Sequence, residues 1–202
     1  AIGVVQPLME HGIYVDLLSA LEAAAMLEPV PVTDTVLAQV SEFISGRLRT
    51  ILLDLGHKYD AVDAVLAAQA KNPAGAASAI RQLSTWVARP DWSTLLQAYA
   101  RCARITRDQK EKFILKPKAF IETSEKRLFE ALEKAEKQDR SPGSVDDFLN
   151  AFLPMIPAVN EFFDKILVMV EDRSVKENRL GLLQRITSLA DGIADLGKLE
   201  GF

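Results

Sequence analysis

Cysteine and histidine are almost missing from this chain: 202 residues hold only Cys102, His11 and His57. One cysteine cannot close an intrachain disulfide and points to a reducing compartment. Three such residues cannot assemble a Cys/His zinc cluster, and no acidic spacing suggests a carboxylate site, so no metal ligand is expected. No GxxxxGK[ST], GxGxxG or GxSxG run occurs, which removes the P-loop, the dinucleotide fingerprint and the nucleophile elbow. No catalytic residue is expected. Ten glycines and nine prolines are too few for a collagen-like or disordered chain. Apolar runs stop well short of the ~20 residues that span a bilayer, so no membrane partner is expected. Residues 1–5 show neither a basic leader nor a cleavage site, against a signal peptide. Cys102 stands between Arg101 and Arg104, which lower a thiol pKa where they reach it; it reads as a small apolar helix residue.

What is present is helical periodicity. Val36, Leu37, Val40, Phe43, Leu48, Ile51, Leu52 and Leu55 fall on three-and-four spacing and predict one long helix. Thr33 or Asp34 caps its start, and Gly56 stands where a left-handed residue ends it. Pro29 and Pro31 separate it from a helix over 15–27, and Pro7 should kink or split the first apolar stretch. An alanine-rich helix over 60–70 follows. Asn72-Pro73 opens another that runs to the Arg89-Pro90-Asp91 turn, and a further helix covers 92–107. Periodicity lapses over 108–123, and Pro142-Gly143 marks a second break. Ser144 and Asp147 open the next helix, and 159–170 reads as helical. Ser174 and Glu177 form a capping box for a final helix of about six turns, carrying Leu182, Ile186, Leu189, Ile193 and Leu196. No strand signal appears. The expectation is an all-α bundle of about 8–10 helices forming one domain over 1–202.

The net charge of −4 gives the whole surface no general attraction for nucleic acid. Residues 101–118 differ: Arg101, Arg104, Arg107, Lys110, Lys112, Lys116 and Lys118 face only Asp108 and Glu111, a local balance of +5. Taken alone, such a run is a solvated helix face followed by a flexible loop, or a grip for phosphates. Arg47, Arg49 and Lys58 form a weaker second group. Arg47 and Arg49 diverge on a helix, and Arg47 is expected to pair with a carboxylate near the core.

Two stretches carry a more specific pattern. The first is Arg47-Leu48-Arg49, then Leu52-Leu53, Gly56 and Tyr59-Asp60-Ala61-Val62-Asp63-Ala64-Val65-Leu66-Ala67. The second is Phe162-Phe163-Asp164-Lys165-Ile166, continuing to Asp172, with Asn178-Arg179-Leu180, Leu182-Leu183 and the tail Ala194-Asp195-Leu196-Gly197-Lys198-Leu199. Together they resemble the C-terminal, DALR-type anticodon-binding domain of the β subunit of bacterial heterotetrameric glycyl-tRNA synthetase. The likeness is colinear over most of the chain and thin over 28–40 and 108–143. Arg104 stands where relatives often carry asparagine, and Trp86 and Trp92 replace phenylalanines that usually flank the Arg-Pro turn. The absence of an initiator methionine suits a fragment of a larger subunit.

The resemblance implies a cytoplasmic bacterial module that binds the anticodon region of glycine tRNA and is no enzyme by itself. Its partners are the rest of the β subunit and the α subunit. ATP and magnesium belong to the intact enzyme's catalytic subunit, leaving no cofactor here. It also places Arg101, Arg104, Arg107, Lys110, Lys112, Lys116 and Lys118 against RNA, with Phe113 and Phe120 in the loop to stack an unpaired base. Asp164, Arg179, Asp60 and Gly56 are expected to be structural. Asp164 pairs with Arg179 between adjacent helices, and Asp60 and Asp63 complement a helix dipole. An arginyl-type domain and a helical protein–protein scaffold are the alternatives.

Overall fold

The computed structural model describes residues 2–202. Every regular element there is helical. Ten α-helices follow in order: α1 (Ile2–Glu10), α2 (Leu17–Ala25), α3 (Asp34–Asp54), α4 (Tyr59–Gln69), α5 (Pro73–Val87), α6 (Trp92–Thr106), α7 (Thr123–Glu136), α8 (Val145–Phe152), α9 (Ile156–Lys165) and α10 (Arg173–Thr187). Short 3₁₀ turns lie at Pro117–Ala119, Leu153–Met155, Ser188–Ala190 and Leu196–Lys198. The expected all-α class holds. Two compact units share the chain. One holds residues up to Val87 with Pro142–Val145 and Gly192–Leu199; the other holds Ala88–Ser141, Asp146–Asp191 and Glu200–Phe202.

In the first unit the Thr33 hydroxyl accepts from Val36 N and starts α3, while Gly56, at φ +88°, ends it in a conformation that a Cβ would strain. Leu48 and Leu52 on α3 are buried with Val62 and Val65 on α4 and with Ile80 and Leu83 on α5. Each such side chain withdrawn from water contributes about 1.5–3 kcal/mol. Gln69 donates to the carbonyls of Gly143 (2.9 Å) and Ile193 (2.8 Å), so one amide fastens both returning segments. Pro7 does not split α1. His11 N reaches the Pro7 carbonyl at 3.0 Å, so the helix loses one rung and continues.

The second unit centres on α6 and α10. Tyr99 meets Phe148 and Phe152 edge-on, with centroids 6.0 and 5.7 Å apart, and its hydroxyl donates to the Thr187 carbonyl at 3.1 Å. Three helix boundaries depart from their sequence reading. First, α9 ends at Lys165 rather than near 170, and Ile166 adopts extended backbone because Ile166 and Val168 turn into the core. Second, the cap of α10 is Asp172, whose carboxylate accepts from Ser174 N and Val175 N. Ser174 lies inside the first turn, so the Ser-x-x-Glu match is not the cap. Third, α10 stops at Thr187; Leu189 is buried in the 3₁₀ turn that follows, and Ile193 and Leu196, buried in their turn, already belong to the first unit. A helix the periodicity left unassigned, α7, opens with a capping box in which Glu122 and Glu125 each accept the other's backbone.

Candidate nucleic-acid interface

Arg101 and Arg104 on α6 and Arg107 at its C-cap do not share one face. Steps of three residues turn a helix back by about 60° each, so Arg101 and Arg107 point some 120° apart. Arg101 lies over the Phe163 ring at 4.6 Å and donates to Asn160 (3.3 Å) and Asp164 (3.4 Å), which commits it to α9. Arg104 lies over Phe202 at 5.4 Å. Arg107 caps the C-terminal end of α6, where positive charge is favourable, and its nearest acid is Asp108 at 3.8 Å.

Asp164 therefore does not pair with Arg179. Arg179 donates to Glu125 at 2.6 Å and to the Leu167 carbonyl at 2.9 Å. Glu125, only 1% exposed, also accepts from Ile121 N (2.8 Å) and Glu122 N (2.7 Å), so both its carboxylate oxygens are hydrogen-bonded. The reason is depth. Arg179 is buried and demands a partner that is buried and hydrogen-bonded with it, whereas Asp164 lies at the surface. In the first unit Asp60 is buried in the first turn of α4 with Ala61 N on its carboxylate, and Asp63 takes a two-pronged grip from Arg49 at 2.6 and 3.0 Å. Arg47 covers the Phe43 ring at 5.2 Å.

The segment between α6 and α7 is irregular, as its lost periodicity foretold, yet it is strapped down. Gln184 accepts from Phe113 N (3.0 Å) and donates to the Glu111 carbonyl (2.8 Å). Asn178 accepts from Lys116 N (2.7 Å) and donates to the Lys116 carbonyl (3.1 Å). Phe120 is buried against Phe129, which removes it as a base-stacking side chain. Phe113 remains half-buried at the surface.

Arg107, Lys110, Lys112 and Phe113 converge on one hollow of about 650 Å³, which Gln184, Arg185 and Asp191 also line. A second hollow, about 330 Å³, shares Lys112 and Phe113 and adds Lys116. Lys118 stands exposed in the adjoining 3₁₀ turn. Of the predicted RNA-facing residues, Arg107, Lys110, Lys112, Lys116 and Phe113 thus come together, and Arg101, Arg104 and Lys118 fall outside both hollows. Sequence reasoning named Asn178 only as part of a motif and missed its hold on the loop, and it missed Gln184 altogether. Their signal was polar residues six apart on a helix whose intervening positions are mostly apolar.

Cys102 is fully buried, and burial pushes its thiol up to about 12, against a reactive role. Among the described residues no cluster of His, Cys, Asp and Glu could hold a metal ion, and no helix is long and apolar enough to cross a membrane.

With a cation-lined hollow on an all-helical unit, comparison with known proteins becomes decisive. The family model of the DALR anticodon binding domain matches residues 95–197. The chain belongs to that family. The DALR match contains the whole strapped loop, both amide clamps and the Arg179–Glu125 pair. Similar proteins include the glycine–tRNA ligase β subunit of Moorella thermoacetica, 34% identical over 169 residues, which cover 82% of this chain and 24% of the relative. A chloroplastic/mitochondrial glycine–tRNA ligase of Arabidopsis thaliana is 30% identical over 202 residues, 99% of this chain and 19% of the relative. The β subunit of Rhodospirillum centenum is 30% identical over 213 residues, 100% of this chain and 30% of the relative. The chain thus spans between about a fifth and a third of the length of these relatives.

Proposed function

We propose that this chain is the anticodon-binding part of a glycine–tRNA ligase β subunit and that the hollow beside the strapped loop receives the anticodon region of glycine tRNA. Within the larger enzyme, glycine activation with ATP and magnesium falls to the α subunit, and this domain contributes tRNA affinity. The observation that carries the reading is the convergence of Arg107, Lys110 and Lys112 on a cavity walled by a half-buried phenylalanine. Cations grip the phosphates of a loop, and a ring offers an unstacked base a face. An arginyl-type domain gains nothing from the relatives, which carry the glycine name. A protein contact retains one observation of its own, in the first unit. There Leu17, Leu21, Leu37 and Ile44 line a mostly apolar groove between α2 and α3, and Met26, Leu27 and Val30 in the connection between those helices are exposed. Such a face suits the remainder of a longer subunit and does not compete with the loop.

The test is tRNA binding over a range of salt. Replacing Arg107, Lys110 and Lys112 with alanine should weaken binding and flatten the log–log salt slope by about 0.7 for each lost phosphate contact. Alanine at Arg101 or Arg104 should leave the slope in place. Unchanged affinity in a folded triple variant would remove the hollow from the reading.

A further inference from the structure

A basic loop is ordinarily a floppy one, and here the backbone between Lys110 and Lys118 is bolted to a helix. The two amide clamps come from Asn178 and Gln184, and between them Gly181 lies under the loop. A Cβ there would stand 3.0 Å from the Phe113 carbonyl oxygen, so the strap depends on a missing side chain as well as on two present ones. From Gln184 back to Asn178 the helix rises about 9 Å. Only three residue steps of strap, from Phe113 to Lys116, cover that rise, which calls for a nearly extended backbone at about 3.3 Å per residue. Exposure alternates accordingly. Lys112, Ile114 and Lys116 are exposed, while Phe113 and Leu115 are half-buried toward α10. Ile114 is 82% exposed although apolar, as expected of a side chain whose direction is fixed by the backbone beneath it.

We propose that Asn178, Gly181 and Gln184 are positioning residues that preform the RNA-contacting strap, holding Lys112 and Lys116 on one outward edge before RNA arrives. This rests on the reading of the loop as the tRNA contact. Lys112 and Lys116, four residues apart with Ile114 between them, stand about 13 Å apart on an extended chain, of the order of two phosphate spacings along a single strand. A free loop would have to be ordered on binding, at an entropic cost set against affinity; a strapped loop has been ordered by folding. The clamps add no charge of their own. Their loss should lower affinity and leave the number of phosphate contacts unchanged.

The experiment uses the 202-residue chain and a labelled glycine-tRNA anticodon stem–loop. Gln184→Ala removes one clamp at a partly exposed position, and Gly181→Val lifts the strap without removing any polar group. Amide exchange at Phe113 and Lys116 should be slow in the parent chain and fast in the variants, while thermal unfolding stays cooperative. Affinity should then fall about two- to tenfold, the equivalent of one or two net hydrogen bonds, at an unaltered salt slope. Full affinity in a folded variant with a released strap overturns the inference, as does fast exchange in the parent or a slope that flattens together with affinity. The Arg107/Lys110/Lys112 triple variant separates the two claims. If it leaves binding intact, the tRNA reading itself falls; if it weakens binding and the clamp variants do not, only the positioning role falls.

Discussion

Arg179 illustrates how burial chooses partners. Arg179 and Glu125 are 7% and 1% exposed, and both oxygens of that carboxylate accept hydrogen bonds. Removing one member leaves a buried charge without its partner, so Glu125→Ala should destabilise the second unit by about 3–5 kcal/mol in urea unfolding. Asp164→Ala should cost no more than about 1 kcal/mol, since its bond to Arg101 is at the surface. The reverse ranking would restore the Asp164–Arg179 pair that the sequence suggested. That error was one of depth. The motif held both residues at helical spacings, and Glu125 lay in the thin part of the resemblance, 54 residues away along the chain. Asp63 gives a pH test. The Arg49 hydrogen bond holds its carboxyl below the ordinary 3.8. A depressed carboxyl binds fewer protons folded than unfolded, so its contribution is complete above that ordinary value and is lost as pH falls through the folded one. Between pH 5 and 3 the parent should lose stability more steeply than Asp63→Asn; parallel curves would deny the pair a role.

At the scale of elements, caps and turns decided which helices were legible. The ends of α3 and the start of α5 were marked by Thr33, Gly56 and Asn72-Pro73, and the structure uses each of them; Asn72 accepts from Gly75 N at 3.0 Å. The start of α10 was misplaced because Asp172 and Ser174 are both good caps, and only geometry ranks them. Asp172 accepts two backbone amides, and the Ser174 hydroxyl donates to that same carboxylate. Asp172→Ala should therefore cost about 1 kcal/mol and Ser174→Ala less, measured by thermal unfolding. Equal losses would return the cap to the sequence reading. The end of α10 was overrun for a different reason. Leu189, Ile193 and Leu196 are buried as periodicity implied, but they arrive by way of a 3₁₀ turn and Gly192 at φ +72°. Burial periodicity does not reveal the path that achieves it.

For the whole molecule, sequence and structure agree on an all-helical chain, one of the DALR family, with a local excess of positive charge over residues 101–118. They differ on how that charge is displayed. The cations read together as RNA-facing divide into packing residues, Arg101 and Arg104, residues around two hollows, Arg107, Lys110, Lys112 and Lys116, and the exposed Lys118 beyond them. Spacing along the sequence could not make that division, because it follows from the angular drift of α6 and from amides on α10. The most direct measurement is zero-length photo-crosslinking of glycine tRNA, thiolated at the anticodon, to the chain, with the linked residues located by mass spectrometry. Crosslinks should gather on residues 107–118, with Phe113 among them, and be absent from Arg101 and from the α2–α3 face. Crosslinks confined to the first unit, or spread evenly over the basic side chains of both units, would contradict the account.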